Sequence, residues 1–126
     1  STDDLAEIHQ VLAEYGHVVD DHDWDRAHLV FTEDFVFELG EHGPDLHGIA
    51  DLVATFKGRN IYAHHVTNIA VSEDADGTVR VHSKLLCFPN EGPPFTGDCY
   101  DVMRRTAEGW RIARRRTEMR QRKFFD

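Results

Sequence analysis

Two residues far apart in the chain, Asp20 and His64, are the pair best suited to acid–base chemistry. Asp20 ends an amphipathic helical pattern in the segment YGHVVDD, and His64 lies near the start of a strand pattern in the segment YAHHVTN. A helix that crosses a curved sheet can bring such a pair into one pocket. A carboxylate bonded to one imidazole nitrogen fixes the tautomer and leaves the other nitrogen as a base near neutral pH. The pair therefore predicts proton abstraction by His64, oriented by Asp20.

Further residues are expected to complete this pocket. Tyr15 lies on the apolar stripe of the same helix, where its hydroxyl could donate a hydrogen bond to a developing oxyanion or a leaving hydroxyl, or simply be satisfied in the core. A mostly aromatic wall would exclude water and suit a small hydrophobic, flat or alicyclic substrate. The residues expected in that wall are Trp24, Phe35, Phe37, Phe56 and Cys87. Arg105 and Arg114 could reach an acidic group of a substrate, although arginines on strands are more commonly exposed.

The elements that would position these residues follow from the hydrophobic period. Apolar residues recur at three- and four-residue steps over 5–19, and shorter helical patterns cover 24–31 and 49–56. Thr2 and Asp23 are the expected N-caps of the first two helices, and Gly58 is expected to end the third.

The second half of the chain has sequence patterns typical of strands. Alternating patterns predict strands over 35–39, 61–72, 78–88, 96–105 and 110–119, with a loop at 40–48 and a hairpin turn at 73–77. The order ααβαββββ indicates an α+β fold with an antiparallel meander. Three helices on one face of a sheet leave the other face to be covered, so a homodimer or higher homo-oligomer is expected.

Bulk properties limit the class of protein. The 126 residues make one domain, 1–126, with a basic tail at about 120–126. No apolar run approaches the roughly 20 residues that span a bilayer, and no signal peptide is visible, so no membrane partner is expected. Cys87 and Cys99 make no disulfide framework, and free thiols favour the cytoplasm, although adjacent strands could bring the two together.

The charge distribution argues against nucleic acid as a partner. Residues 1–60 contain 14 acidic residues against 3 Lys and Arg, whereas residues 101–126 contain 9 Lys and Arg against 4 acidic residues. A phosphate-binding surface needs an excess of cations, which this acidic chain lacks. The C-terminal arginines are expected to lie on a strand face and pair with the acidic helices.

The sequence contains no motif typical of a metal or cofactor site. The histidines near Asp20 (His17 and His22) and the pair His42 and His47 do not have the spacing of a zinc site. No glycine-rich nucleotide loop and no Gly-x-Ser-x-Gly elbow occurs. We therefore expect no metal and no cofactor.

Several of these segments together carry a resemblance to a known family. They are the helix ending in Val19-Asp20, the segments DWD at 23–25, FTED at 31–34 and HHVTN at 64–68, and the closing GWRI at 109–112. In order and spacing the chain resembles SnoaL-like members of the nuclear-transport-factor-2-like superfamily. It is nearest to the scytalone dehydratase, bile-acid 7α-dehydratase and hexachlorocyclohexane dehydrochlorinase type. The resemblance implies a cone-shaped α+β barrel, with helices packed in the concavity of a strongly curved, mostly antiparallel sheet.

The resemblance also implies an activity. Asp20 and His64 fall where the dehydratase relatives keep a catalytic Asp–His pair, and Tyr15 falls where the bile-acid enzyme has a pocket tyrosine. Those relatives add a second acid or base on the next strand, where this chain offers Ser83, Leu85 and Cys87. The expected function is a cofactor-independent lyase, dehydratase-like, acting on a small hydrophobic cyclic molecule. The alternatives are an isomerase or polyketide-cyclase-like enzyme in the same pocket, a non-catalytic ligand-binding module, or a subunit that accompanies a larger oxygenase.

Overall fold

The computed structural model describes residues 1–121 and has an α+β architecture, in which helices pack against one mixed sheet. The helices are α1 (Thr2–Asp20) and α2 (Gly48–Lys57), with short 3-10 helices at Trp24–Leu29 and Gly40–His42. The strands are β1 (Phe31–Glu38), β2 (Leu46–His47), β3 (Ile61–Glu73), β4 (Val79–Pro89), β5 (Phe95–Thr106) and β6 (Gly109–Met119). The predicted fold class is confirmed. Of the predicted basic tail, 122–126 lie outside the described residues.

The six strands form one sheet in the order β2-β1-β6-β5-β4-β3. The last four strands are an antiparallel meander, as predicted. The first strand pairs with β6 in parallel and with the two-residue β2 in antiparallel fashion. The strand β2 lies within the predicted loop at 40–48, which is corrected accordingly. Its two residues are too few to show an alternating pattern in the sequence.

Strand alternation determines which residues of β4 enter the core. Val81, Ser83, Leu85 and Cys87 are all buried, and the residues between them are exposed or half-buried. His64 on β3 lies opposite Cys87 in the register, so it points to the same inner side. Its neighbour His65 is exposed and lies opposite Leu86.

The helical starts and ends differ in detail from the sequence expectations. Ser1, not Thr2, caps α1, because the Ser1 hydroxyl accepts a hydrogen bond from the Asp4 backbone N–H at 3.2 Å. The second helix is a 3-10 helix that ends at Leu29, and Asp23 makes no side-chain capping bond there. Phe31, expected in that helix, is instead the first residue of β1. Gly58 follows the end of α2, as expected.

The outer face of the sheet is rich in charged contacts. Asp98 on β5 is buried and accepts hydrogen bonds from His82, Lys84 and Arg120 at 2.9, 2.7 and 2.9 Å. These three donors hold the pKa of the Asp98 carboxyl far below its usual value, against the opposing effect of burial. No helix among residues 1–121 is long and apolar enough to cross a membrane.

The C-terminal arginines pair with carboxylates, but mostly not with those of the helices. Arg105 contacts Asp4 of α1, whereas Arg104 and Arg114 contact Asp34 and Glu38 of β1. The pairing was therefore predicted correctly in kind, and its location is corrected. Two arginines on β6 are buried, namely Arg111 and Arg115, which are 8% and 0% exposed.

Gly16 allows α1 to lie directly on β3. A Cβ atom at this position would come within 3.0 Å of the His64 carbonyl oxygen, which belongs to the backbone of the strand. A side chain at residue 16 would therefore push the helix and the strand apart. The glycine thus sets the close approach that brings Asp20, one turn further along α1, to His64.

Replacement of Gly16 by Ala should lower the free energy of unfolding. Alanine gains about 1 kcal/mol of helix propensity over glycine, but overpacking against a backbone atom costs about 1–3 kcal/mol. Urea denaturation should therefore show a net loss. Gly58→Ala is the matched control, since no atom lies within 4 Å of its added Cβ, and it should be neutral or stabilising. A Gly16→Ala variant as stable as the wild type would contradict the close approach.

Candidate active site

The structure brings Asp20 and His64 into direct contact. His64 Nδ1 lies 2.7 Å from Asp20 Oδ1. The backbone N–H of His64 also donates to both oxygens of the same carboxylate, at 2.9 and 3.0 Å. These three contacts from His64 leave the Asp20 carboxylate little freedom to rotate. The carboxylate is therefore held in a fixed position from which it orients the imidazole ring.

This arrangement defines the tautomer of His64. An ionised carboxylate can only accept hydrogen bonds, so Nδ1 carries the proton that points at Asp20. In the neutral ring, Nε2 then has a free lone pair. The His64 side chain is only 5% exposed, and that of Asp20 is 21% exposed.

Burial decides the charge state of His64. Desolvation of the imidazolium lowers the pKa of His64 below its usual 6.5, and the hydrogen bond and charge of Asp20 oppose that shift. The net direction is downward. A ring that is neutral at pH 7 and holds its proton on Nδ1 can accept a proton at Nε2.

His64 opens onto an interior space that we call the His64 cavity, with a volume of about 370 Å³. Its wall is mainly apolar, with Phe37, Leu39, Ile61, Leu85, Cys87, Phe95 and Met119. The remaining lining residues are polar, namely Tyr15, His42, Arg59, Asn60, His64 and Thr117. Three of these, His42, Arg59 and Asn60, are exposed and form what we call the cavity mouth. A cavity of this size and lining suits a small hydrophobic molecule with a few polar groups.

Tyr15 lies in the wall of the His64 cavity, and its ring centroid is 6.4 Å from that of His64. Burial raises the pKa of Tyr15 far above 10, so the phenol keeps its proton and can donate a hydrogen bond. The guanidinium carbon of Arg115 lies 4.1 Å from the centroid of the same ring. The Tyr15 ring thus packs against both the His64 ring of β3 and the Arg115 guanidinium of β6.

The predicted aromatic wall is partly corrected. Phe37 and Cys87 line the His64 cavity, and burial raises the pKa of the Cys87 thiol to about 12, which keeps it protonated. Phe56 packs behind the wall, with its ring 6.2 Å from both His64 and Trp24. Trp24 and Phe35 line a different, open cleft of about 900 Å³ on the outside of the molecule. Phe35 stacks on Phe31, with the ring centroids 4.2 Å apart, and both rings line this cleft.

Other residues considered from the sequence lie outside the His64 cavity or cannot act in it. Arg105 and Arg114 are engaged with Asp4 and Glu38, and neither lines the cavity. Ser83 is fully buried, and its hydroxyl has no hydrogen-bond partner among the described residues. Leu85, the other residue expected on the next strand, contributes only apolar wall.

The residues that close the cavity from the loops and the last strands were not predicted from the sequence. Arg59 and Asn60 follow α2, and Phe95 and Thr117 come from β5 and β6. Only the tertiary arrangement brings these segments together. Within residues 1–121, no group of three or more His, Cys, Asp or Glu side chains is placed to hold a metal ion.

Comparison with known proteins shows which family the chain belongs to. The family model described as a SnoaL-like domain matches residues 1–116. An uncharacterised protein of Mycobacterium tuberculosis is 28% identical over 129 aligned residues, which cover 89% of this chain and 82% of that protein.

Solved structures show the same fold. A proposed aromatic ring hydroxylase of Novosphingobium aromaticivorans superposes with a TM-score of 0.77 at 28% identity, covering 97% of this chain and 92% of that one. A proposed scytalone dehydratase of the same species has a TM-score of 0.76 at 19% identity, with 96% and 89% covered. ActVI-ORFA of Streptomyces coelicolor has a TM-score of 0.70 at 23% identity, with 91% and 96% covered.

Proposed function

Because this chain belongs to the SnoaL-like family, we propose that the His64 cavity is the active site of a cofactor-independent lyase. Its reaction is the elimination of water from a small hydrophobic cyclic substrate. The observation that carries the proposal is the 2.7 Å contact between His64 Nδ1 and Asp20 Oδ1 at the cavity wall. A buried imidazole that faces an apolar cavity and is oriented by a carboxylate is an arrangement suited to general base catalysis.

The chemistry proceeds in two proton transfers. His64 Nε2 takes a proton from the carbon next to a carbonyl, and the electrons of that C–H bond pass to the carbonyl oxygen as an enolate. Asp20 stabilises the imidazolium that forms, and Tyr15 donates a hydrogen bond to the developing oxyanion. The enolate then expels the hydroxyl group from the next carbon. The imidazolium returns its proton to that oxygen, so water leaves and a carbon–carbon double bond remains.

The same three residues support related reactions. An isomerase would return the proton to a different carbon, and a cyclase would direct the enolate to a carbonyl carbon of the same molecule. A non-catalytic module of this fold would bind the ligand without turnover. The solved structures below 25% identity share the fold alone. The Asp20–His64 pair and the apolar wall support each of these proton transfers, and elimination is the one proposed because the pair resembles that of the dehydratases.

Dehydration of a β-hydroxy cyclic ketone tests the proposal. β-Hydroxytetralone has an acidic C–H bond between its carbonyl and its hydroxyl-bearing carbon, and loss of water yields the fluorescent α-naphthol. Purified protein should increase the rate of fluorescence gain above the buffer rate. Saturable binding of this ketone without any increase would support the binding module instead.

The dehydration rate should follow the charge of His64. Because burial lowers the pKa of His64 below 6.5, the acid limb of kcat/KM should have its midpoint below 6.5 and reach a plateau by pH 7. Acidification protonates Nε2 and removes the base, so the rate falls about tenfold per pH unit well below the midpoint. A pH–rate profile of kcat/KM measures this. A midpoint above 6.5 would contradict a base with a lowered pKa.

The oligomeric state and the location stay predictions. We propose that a second copy covers the exposed face of the sheet, which would make the protein a homodimer. Light scattering coupled to gel filtration should give twice the chain mass of 14.5 kDa. A mass of one chain at micromolar concentration would contradict the dimer. The cytoplasm is proposed on the basis of the two free thiols, Cys87 and Cys99.

A further inference from the structure

Arg59 occupies a fixed position at the cavity mouth. Its guanidinium carbon lies 4.5 Å from the centroid of the Phe56 ring, and its backbone N–H donates to the Phe56 carbonyl at 3.1 Å. The next residue, Asn60, accepts a backbone hydrogen bond from Asn90 at 2.9 Å, and the two side-chain amides are also bonded. The guanidinium therefore projects from a segment that is tied to α2 and to the loop between β4 and β5.

Arg59 is a cation at the cavity mouth that has no carboxylate partner in the part of the chain that the structure describes. Among residues 1–121, no acidic oxygen lies within 4.0 Å of its nitrogens, and no Asp, Glu or Lys side chain lines the His64 cavity. Most other exposed arginines are engaged in ion pairs. Those with a partner are Arg26, Arg80, Arg104, Arg105, Arg114, Arg116 and Arg120. In a chain with 23 acidic residues and 14 Lys and Arg, an arginine that has no carboxylate partner within residues 1–121 and lies at the mouth of an apolar cavity is unusual.

The charge of Arg59 extends into the cavity. Burial is the largest cause of the lowered pKa of His64, and the positive charge of Arg59 lowers it as well. The same charge opposes the burial that raises the pKa values of Tyr15 and Cys87. Three groups of the cavity wall thus experience the field of this one guanidinium, so an anion bound inside would experience it too.

We infer that the ligand of the His64 cavity carries a permanent carboxylate and that Arg59 binds this carboxylate at the cavity mouth. The inference rests on the proposed function, because it specifies the chemical class of the cyclic substrate. A planar guanidinium can pair with a carboxylate through two parallel hydrogen bonds, which an ammonium group cannot do. With its carboxylate at the mouth, the ring of the ligand lies against the apolar wall and faces His64.

A matched pair of ligands tests the inference without any need for turnover. β-Naphthoate and β-naphthamide have nearly the same shape and differ in charge. Calorimetry at low salt should show that the wild type binds the naphthoate about tenfold more tightly than the naphthamide, as expected for one partly solvated arginine–carboxylate pair. The Arg59→Gln variant should bind the two ligands equally and keep the wild-type affinity for the naphthamide. Arg59→Lys should keep part of the preference, because the charge remains.

Lys57→Gln is the matched control, since Lys57 is an exposed cation two residues away that does not line the cavity. It should leave the tenfold preference unchanged. A preference that persists in Arg59→Gln, or equal binding of both ligands by the wild type, would overturn the inference, as would failure of both ligands to bind. Equal binding together with active dehydration would overturn the role of Arg59 alone. A clear preference without dehydration would overturn the lyase alone.

Discussion

The Asp20→Asn variant should dehydrate β-hydroxytetralone about 10²–10⁴-fold more slowly than the wild type, with its fold intact. Asparagine has the size of aspartate and can still accept the hydrogen bond from the His64 backbone N–H. It cannot neutralise the imidazolium that forms when His64 takes a proton. If the amide nitrogen of the new asparagine donates to Nδ1 of His64, the imidazole must carry its proton on Nε2. The Nε2 lone pair that acts as the base is then lost.

Asp21→Asn is the control for this substitution. Asp21 is the next residue along the chain, is exposed, and follows the end of α1. Its loss of charge should leave the dehydration rate within about twofold of the wild type, as for other substitutions outside the reacting groups. Circular dichroism and urea denaturation should show that both variants are folded. Equal rates in the two variants would remove Asp20 from the mechanism.

The Asp101→Asn variant should lose about 3–5 kcal/mol of stability, because it leaves the Arg115 guanidinium buried without a counterion. Both side chains of this pair are fully buried. Arg115 Nε and Nη2 donate to the two carboxylate oxygens of Asp101 at 2.7 and 2.8 Å. The charge of Asp101 keeps the pKa of Arg115 well above its usual value despite burial, so the arginine stays charged. Its Nη1 has no partner among the described residues, so little remains to compensate the charge.

Asp34→Asn provides the comparison at the surface. Asp34 also contacts an arginine, Arg104, through both oxygens, at 3.2 and 3.5 Å, but the two side chains are 71% and 52% exposed. Water and salt screen such a pair, so its loss should cost at most about 1 kcal/mol. Urea denaturation of the two variants measures the difference. A cost for Asp101→Asn no larger than that for Asp34→Asn would show that the buried pair does not hold the sheet together.

The periodic parts of the fold could be predicted from sequence because their hydrophobic residues repeat over many turns or strands. The stripe of α1 and the alternation of β4 belong to this class. The parallel pairing of β1 with β6 could not be predicted, since it joins strands from opposite ends of the chain. The C-terminal arginines were expected to lie on a strand face and pair with the acidic helices, whereas Arg115 is buried. Its burial depends on Asp101, its cross-strand neighbour in the register.

Some residues of the candidate site could likewise be predicted from sequence, and others could not. Asp20 and His64 could be identified because their residue types are those of acid–base chemistry. Asp20 ends a clear helical pattern, and His64 lies near the start of a clear strand pattern. Trp24 and Phe35 were expected in the wall because an aromatic lining excludes water and suits a flat substrate. Both residues instead line the outer cleft, where Phe35 stacks on Phe31. Arg59 carries no signal in the sequence, because its role depends on which cavity its segment closes.

Deuterium exchange at the carbon next to the carbonyl of α-tetralone tests the central claim most directly. This ketone has no leaving group, so exchange reports proton abstraction alone, which elimination and isomerisation share. Proton NMR in D₂O should show exchange catalysed by the wild type and by His65→Gln, whose altered residue is exposed on the other face of β3. His64→Gln should reduce the exchange to the buffer rate. Equal catalysis by His64→Gln and the wild type would contradict His64 as the base.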